Sequence, residues 1–288
     1  MEIVKPQVEL WVQDDPIAHV ANCARVCYAS DKTTGNEAMY QRLIDANHKS
    51  MFRHQSVYYI IPYKGWRLAN LQRYEECPYL KFKHDCNNIY VSTNKQFVME
   101  HNDFNESYHE FEVDVLEFEN TPIGFSLMRY TFKVVTQIST SRELNRVSPN
   151  NIAEQSTRYV NLSKKGGAIC QPHWMSDETV EVFNTTNILP DRFYSKNEEA
   201  VNYCWHCDNC FQIYNKLISK GMLPQDARGV LPLDTATVCV YTYSIDEWRH
   251  IIDLRYYGTT GAPHPNAKII AGMIREKLID AGHEFRDK

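Results

Sequence analysis

The segment from Arg142 to Tyr159 concentrates side chains that suit a charged, hydroxylated ligand. The side chains that carry this chemistry are Arg142, Glu143, Arg146, Glu154, Gln155, Ser156, Thr157 and Arg158. Arginine binds phosphate through two parallel hydrogen bonds, hydroxyl groups add donors, and a carboxylate can accept a hydrogen bond from a sugar hydroxyl. This mixture predicts a site for a phosphorylated small molecule, although a solvated loop with surface ion pairs would contain the same residue types.

Two arginines in the C-terminal part of the chain favour the binding site over the solvated loop. Arg228 lies in a segment rich in proline and glycine, directly after a long predicted helix. Arg255 lies at the end of a predicted helix that begins near Ser244. Either arginine alone would be interpreted as a surface or capping residue. Together with the first segment, they predict an anion-binding site built from three parts of the chain.

The cysteine-rich sequence CWHCDNC, residues 204–210, invites a metal or redox interpretation. Overlapping Cys-x-x-Cys pairs occur in zinc sites and in thiol–disulfide enzymes. No second pair lies in range to complete a structural zinc site, and Cys204 and Cys207 fall on the apolar stripe of a predicted helix. We therefore predict that Cys204, Cys207 and Cys210 pack as small apolar side chains and that the chain binds no metal.

Composition limits the possible classes of protein. The chain has 288 residues, 43% of them hydrophobic and 23% charged, as in an ordinary globular protein. A net charge of −5 argues against non-specific binding to nucleic acid, and no apolar run is long enough for a membrane span. Nine cysteines and an N-terminus without a signal-peptide pattern predict reduced thiols and a cytoplasmic location.

Hydrophobic periodicity predicts the elements that must position these residues. Two helices are predicted to start at Pro16 and Ser244. Five further helices are predicted at about 37–47, 94–100, 139–145, 196–220 and 266–281. The predicted strands cover about 9–12, 56–62, 130–138 and 238–243. Residues 160–192 are predicted to be mostly loop. Because helices and strands mix without strict alternation, we predict a mixed α/β (α+β) fold, with one central sheet flanked by helices.

Several ordered motifs resemble the flavin-dependent thymidylate synthases. Residues 24–30 resemble the end of the family's first helix, and residues 48–54 resemble its turn with two histidines. The region 142–159 resembles the family signature, and Asp226-Ala227-Arg228, Leu231-Pro232 and Leu254-Arg255 resemble its C-terminal motifs. The match is collinear over most of the chain. It implies a single domain over residues 1–288, with a family-variable insertion at about 63–128.

The resemblance implies a homotetramer whose sites lie at subunit interfaces. Family members bind FAD, dUMP, methylenetetrahydrofolate and NADPH, and they methylate uracil at C5. Carried over by residue, the nucleotide site would consist of Glu143, Arg146, Glu154, Gln155, Ser156, Arg158, Arg228 and Arg255. In that assignment Arg158, Arg228 and Ser156 hold phosphate, and Glu154 holds the sugar. Arg146 and Arg255 flank the base as the catalytic pair, and Arg255 stabilises charge on a base carbonyl.

The flavin side of the family signature is altered in this chain. The signature opens with Arg-His-Arg, whereas this sequence has Arg146-Val147-Ser148. A signature serine is replaced by Asn151, and Ser244 and Asp246 stand where the family commonly has asparagine and arginine. The candidate flavin contacts are His54, Val147, Ser148, His250 and His264. A purely structural role for each of the three histidines is the alternative.

These observations lead to one first hypothesis and two alternatives. The first is a C5-methyltransferase that acts on a pyrimidine deoxynucleoside monophosphate and converts dUMP to dTMP. The second is a C5-hydroxymethylase, or an enzyme of the same family that acts on dCMP. The third belongs to another class, a nucleotide-binding or regulatory subunit without catalytic activity.

Overall fold

A four-stranded sheet supports the predicted binding segment; its strands are, in spatial order, Gln7–Trp11, Arg129–Gln137, Ala236–Ser244 and Ile152–Glu154. It is seen in a computed structural model that describes residues 1–30, 34–146, 151–190, 193 and 197–286. The strands are β1 Glu2–Val4, β2 Gln7–Trp11, β3 Ser56–Pro62, β4 Lys81–His84, β5 Asn88–Asn94, β6 Glu112–Val113, β7 Arg129–Gln137, β8 Ile152–Glu154, β9 Ala168–Cys170 and β10 Ala236–Ser244. With about 52% helix and 19% strand, the mixed α/β prediction is confirmed.

Helices surround the sheets on most sides. The α-helices are Pro16–Tyr28, Asn36–Asp45, Gly65–Gln72, Lys95–Glu100, Asn102–Tyr108, Val115–Glu119, Pro122–Phe125, Ile138–Leu144, Leu162–Lys165, Asp177–Thr186, Glu198–Ser219, Pro224–Ala227, Ile245–Ile252 and Pro265–Asp280. Among the described residues, 3₁₀ helices cover Lys49–His54, His109–Phe111 and Arg228–Val230, and a π-helix covers Asp253–Tyr257. No helix in the described part of the chain combines the length and apolar character that a membrane span requires.

The register of the first sheet explains how distant parts of the binding segment meet. Strand β10 pairs antiparallel with both β7 and β8. Strands β7 and β8 therefore run in the same direction, and their C-terminal ends lie at the same end of the sheet. The helix Ile138–Leu144 starts at the end of β7, and Gln155 follows the end of β8. The sheet thus brings two halves of the segment together.

Apolar side chains cover both faces of this sheet. On one face, Phe132 and Tyr241 pack with Trp248 of the helix Ile245–Ile252, in a cluster that also includes the helix Pro265–Asp280. The Trp248 Nε1–H donates a hydrogen bond to the carbonyl of Tyr130 at 3.0 Å. On the other face, Cys23 of the first helix packs against Val240. Burial on both faces makes the sheet a rigid support for the site at its end.

A second four-stranded sheet, in the order β4-β5-β3-β6, consists mainly of residues from the stretch 63–128. A buried arginine at the start of β7 joins it to the first sheet. The Nε of Arg129 donates to Ser56 Oγ at 3.3 Å, and Nη2 donates to the carbonyl of Arg53 at 2.9 Å. The interpretation of 63–128 as an insertion within one domain stays a prediction.

The prediction of a mostly irregular segment at 160–192 is wrong. It contains the helices Leu162–Lys165 and Asp177–Thr186 and strand β9. Strand β9 forms because it pairs in parallel with β1, a long-range partner that no local pattern reveals. The longer helix did have a local signal, because Ser176 caps it and accepts a hydrogen bond from the backbone N–H of Thr179 at 3.2 Å.

The helix starts and the cysteine-rich helix agree with the sequence patterns. Asp15 caps the first helix, and Ser244 forms a capping box with Glu247. In the helix Glu198–Ser219, Cys204 and Cys207 are buried in an apolar cluster, whereas Cys210 is partly exposed. Within the described residues, no three histidine, cysteine or acidic side chains meet as metal ligands.

Candidate functional site

A cleft of about 330 Å³ opens where the ends of β7 and β8 meet. Residues from three segments line it: Ile138, Ser141, Arg142, Glu154, Gln155, Ser156, Thr157 and Arg228. The structure therefore brings together four predicted site residues, namely Glu154, Gln155, Ser156 and Arg228. We call this surface the arginine cleft.

Backbone hydrogen bonds fix the floor of the arginine cleft. The N–H of Gln155 donates to the carbonyl of Val238 at 2.8 Å, and the N–H of Ser156 donates to the carbonyl of Cys27 at 2.9 Å. The Ser156 hydroxyl accepts a hydrogen bond from the N–H of Arg158 at 3.2 Å. Residues 155–158 are thus held by strand β10 and the first helix, which fixes the backbone on this side of the cleft.

The carboxylate of Glu154 is oriented by two hydroxyl groups. Its Oε1 accepts hydrogen bonds from Ser141 Oγ at 3.0 Å and from Thr237 Oγ1 at 3.1 Å. An ionised carboxylate has about four acceptor positions, so acceptor capacity remains for a ligand. Because both partners are neutral, the negative charge of Glu154 is positioned but not cancelled.

Neutral partners hold Arg228 of the cleft and also Arg158, which follows the lining residues in sequence but is not among them. Arg228 Nη1 donates to Thr157 Oγ1 at 3.0 Å, and Arg158 Nε donates to Gln225 Oε1 at 3.3 Å. Both arginines and Arg142 are exposed. Among the ion pairs between described residues, none involves these three arginines. Their positive charge is therefore available to an anionic ligand.

Three of the remaining four predicted nucleotide residues form a separate ion-pair group, which we call the Glu143 cluster. Arg255 Nε donates to the carbonyl of Glu143 at 2.8 Å, and Arg255 Nη1 lies 3.4 Å from Glu143 Oε2. Arg146 Nη2 lies 3.6 Å from Glu143 Oε1. The side chain of Arg255 is 15% exposed and that of Arg146 is 66% exposed. One carboxylate thus faces two guanidinium groups.

Arg255 projects from an unusual stretch of backbone. It lies in the π-helix Asp253–Tyr257, which ends at Gly258 in the left-handed region with φ +71°. A Cβ at Gly258 would approach the carbonyl oxygen of Gly261 to 2.8 Å, so the position requires glycine. Single π-helical turns are rare and are frequent at functional sites.

None of the three candidate flavin histidines is among the described residues that line the arginine cleft. His54 is completely buried, with Nδ1 2.8 Å from Thr242 Oγ1. Burial, reinforced by the nearby positive groups, lowers the pKa of His54 to about 3, so the ring is neutral. His250 is exposed on the helix Ile245–Ile252, and the exposed His264 caps the helix Pro265–Asp280.

The positions that depart from the family signature have mainly local roles. Val147 and Ser148 lie outside the described residues. Ser244 is the helix cap, and Asp246 forms an ion pair with Arg249 at 3.1 Å. Asn151 is buried; its carbonyl accepts a hydrogen bond from the N–H of Thr242, and its Oδ1 has no partner in the described part of the chain.

Residue-by-residue transfer from the resemblance missed several groups of the cleft. Arg142 and Thr157 line it, and Ser141 and Thr237 orient Glu154. A signal for Arg142 exists in the sequence, because Ile138, Ser141 and Arg142 have the spacing of one helix face. Thr237 has no such signal, since it reaches Glu154 only through the pairing of β8 with β10.

The profile of the family described as thymidylate synthase complementing protein (Thy1) matches residues 119–280. No curated protein matches the chain in sequence.

Two solved structures of a UMP/dUMP methylase, PolB from Streptomyces cacaoi, are similar to the chain at 16% sequence identity. The structure bound with 5-Br dUMP has a TM-score of 0.45 and covers 97% of this chain and 93% of that chain. The structure bound with 5-Br UMP has a TM-score of 0.44 and covers 98% and 91%.

Proposed function

This chain belongs to the thymidylate synthase complementing protein (Thy1) family, and we propose that it methylates C5 of a pyrimidine deoxynucleoside monophosphate. The simplest reaction is the conversion of dUMP to dTMP. Methylenetetrahydrofolate would be the one-carbon donor, with FAD and NADPH supplying the reducing equivalents.

The arginine cleft is the observation on which this proposal rests. It combines two unneutralised arginines with three hydroxyl side chains and one oriented carboxylate. Phosphate is recognised by guanidinium and hydroxyl donors, and a deoxyribose hydroxyl by a carboxylate. A nucleoside monophosphate offers both groups in one small molecule, so its chemistry matches the cleft at both ends.

We assign the phosphate to Arg228, Arg158 and Ser156, and we add Arg142 to that set. Arg228 and Arg158 keep their guanidinium groups at the rim through neutral hydrogen bonds to Thr157 and Gln225. They can therefore turn toward a phosphate without breaking an ion pair. Glu154 would accept a hydrogen bond from a sugar hydroxyl.

The Glu143 cluster would face the base. Arg255 uses Nε and Nη1 on Glu143, and a guanidinium has five N–H donors in total. The remaining donors can stabilise negative charge that develops on a carbonyl of the base. Arg146 would flank the base from the more exposed side of the cluster.

A homotetramer is part of this proposal. The arginine cleft and the Glu143 cluster use different faces of the helix Ile138–Leu144, because consecutive residues of an α-helix are turned by about 100°. Chains that share their sites would complete one site from the cleft of one copy and the cluster of another. Light scattering at micromolar concentration should give about four times the monomer mass; a monomer would contradict the arrangement.

FAD, when bound, would supply hydride, but the described residues of this chain fit it poorly. His54 has no exposed surface, and its ring is neutral. His250 and His264 are exposed and belong to different helix segments, and the carboxylate of Asp246 is paired with Arg249. We assign no residue of this chain a step that involves the flavin.

We propose that FAD binding is weak or uses a changed pose. Valine at 147 offers no hydrogen bond, and serine at 148 is shorter than arginine and uncharged. A hydrogen bond to a charged group contributes about 1.5–3 kcal/mol, so two losses weaken FAD by roughly 100-fold or more. Titration of the apo protein should show this weak affinity, and Val147→His with Ser148→Arg should raise it. Tight flavin retention through purification would contradict the proposal.

A product assay tests the function itself. The protein is incubated with methylenetetrahydrofolate, NADPH, FAD and either dUMP or dCMP, and the nucleotides are separated. A 5-methyl product from dUMP is expected, and Arg228→Ala should abolish most of it while the exposed variant Arg73→Ala should not. A 5-hydroxymethyl product or turnover of dCMP would favour the second hypothesis. Nucleotide binding without any product would favour a regulatory subunit.

A further inference from the structure

The C-terminal residues of the described chain lie against the π-helix that contains Arg255. Arg286 Nη2 is 3.1 Å from Asp253 Oδ1, and its guanidinium lies 4.0 Å from the ring centre of Tyr257. The Tyr257 hydroxyl donates a hydrogen bond to the carbonyl of Arg286. One residue near the C-terminus thus contacts both the first and the last residue of the π-helix.

Arg275 of the helix Pro265–Asp280 contacts both Tyr257 and Arg286. Its Nε donates to the Tyr257 hydroxyl at 2.8 Å, and its Nη2 donates to the carbonyl of Arg286 at 3.0 Å. We call Asp253, Tyr257, Arg275 and Arg286 the C-terminal latch. An exposed ion pair alone contributes little, but here it is combined with a cation–π contact and three hydrogen bonds.

Arg255 lies midway between the two latched residues. The carbonyl of Glu143 accepts a hydrogen bond from Arg255 Nε, and the carboxylate of Glu143 pairs with Arg255 Nη1. The π-helical turn is therefore held at two places, by Glu143 at the Arg255 guanidinium and by Arg286 at the side chains of its first and last residues. Without the latch, the turn could relax toward the regular α-helix, and this would rotate Arg255 away from Glu143.

We propose that Arg286 is a positioning residue for Arg255 and acts through the π-helix Asp253–Tyr257. This inference rests on the proposed function, in which Arg255 stabilises charge on the base. Arg286 itself contacts no residue of the arginine cleft, so its loss should disturb the chemical step more than nucleotide affinity.

The first experiment measures hydrogen exchange of the amides of residues 253–259 in the full-length chain. The N–H of Thr259, which donates to the carbonyl of Asp253 at 3.1 Å, reports on closure of the turn. Arg286→Gln should exchange about 5-fold faster or more in this segment, because local opening becomes easier. The matched control is Arg73→Gln, which removes another exposed arginine paired with an aspartate, Asp103, beside a tyrosine, Tyr74. It should leave the segment unchanged.

The second experiment measures steady-state kinetics with dUMP. Arg286→Gln should lower kcat about 10-fold while KM for dUMP stays within a factor of two, estimates in line with loss of an interaction made in the transition state. Asp253→Asn should behave alike, and the double variant should lose little more. Arg73→Gln should keep wild-type kinetics.

The two readouts separate the failure of this inference from the failure of the proposed function. If the wild-type chain makes no methylated nucleotide, the proposed function fails, and exchange still decides whether Arg286 orders the turn. Unchanged exchange in Arg286→Gln overturns the latch. Faster exchange with unchanged kcat in an active enzyme also overturns it, because Arg255 would then not depend on the order of the turn.

Discussion

The helix Ile138–Leu144 supports two groups of charged residues that differ in how their charges are balanced. Toward the arginine cleft it presents Arg142, which is exposed and forms no ion pair with a described residue. Toward the Glu143 cluster it presents a carboxylate between Arg146 and Arg255. Adjacent positions of one short helix therefore belong to a site whose arginines form no ion pair with a described residue and to a cluster whose two arginines share one carboxylate.

This difference indicates what each group can bind. Arg228 and the neighbouring Arg158 are held by Thr157 and Gln225, so an anion can reach their charge without displacing a carboxylate from them. In the Glu143 cluster an anion would have to displace Glu143 from Arg255, whose side chain is mostly buried. The cleft therefore suits a phosphate, and the cluster suits a neutral ring that becomes charged only during reaction.

The largest effect should come from removing charge from the arginine cleft. Arg158→Ala and Arg228→Ala should each weaken dUMP binding by about 2–5 kcal/mol, because a bound phosphate would cover these guanidinium groups and the loss of one would leave buried phosphate charge without a partner. Calorimetry with dUMP and dCMP measures this, and the exposed variant Arg73→Ala serves as the control. Unchanged affinity for both nucleotides in both variants would show that the phosphate binds elsewhere.

Neutralising the carboxylate of the Glu143 cluster should have a smaller effect, and this effect should be on kcat rather than on dUMP affinity. Glu143→Gln keeps the size of the side chain but removes the charge between two guanidinium groups. The loss of a charged hydrogen-bond partner costs about 1.5–3 kcal/mol, which should lower kcat and leave dUMP affinity nearly unchanged. Steady-state kinetics and calorimetry together test this. A large loss of affinity with normal kcat would instead mean that Glu143 touches the nucleotide.

The sequence predicted which residues meet in the arginine cleft better than it predicted that other site residues form the separate Glu143 cluster. Residue types and collinear motifs were enough to select Glu154, Ser156 and Arg228, which do lie together. They could not show that Glu143 faces Arg255, because that contact depends on the angle at which the π-helix meets the helix Ile138–Leu144. π-Helices have no simple residue pattern, so no periodicity indicates them.

The same limit applies to the fold. Elements with strong local signals were predicted to within a few residues, such as the helix Glu198–Ser219 and the capped helix that starts after Ser244. Strands β1 and β9 were missed, because three-residue strands form only through pairing with a distant partner. Long-range pairing also places Thr237 beside Glu154, so the missed element and the missed site residue have the same physical cause.

Removing the hydrogen bonds that orient the Glu154 carboxylate should have a moderate effect on dUMP affinity. Ser141→Ala and Thr237→Val each remove one hydrogen bond to Oε1 and should cost about 1 kcal/mol of dUMP affinity. Because both hydroxyls orient one oxygen, the double variant should lose less than the sum. Ser139→Ala, which breaks a hydrogen bond to Asp234 outside the cleft, is the control. Fully additive losses would mean that the two hydroxyls act on the nucleotide separately.

The smallest effect should be the change of dUMP affinity with salt concentration. Its measurement in variants compares the arginine cleft directly with the Glu143 cluster. Raising the ionic strength from about 0.1 M to 1 M shortens the screening length from about 10 Å to 3 Å. The exposed arginines of the cleft attract the nucleotide through solvent, so dUMP affinity should fall several-fold. In Arg228→Ala the fall should be shallower, because one screened charge is already gone. Contacts within the Glu143 cluster are short and partly buried, so Glu143→Gln should keep the wild-type salt dependence. Glu143→Gln could instead weaken the salt dependence of dUMP affinity as much as Arg228→Ala does. The phosphate would then interact with the Glu143 cluster, and the assignment of phosphate to one face of the helix and base to the other would be wrong.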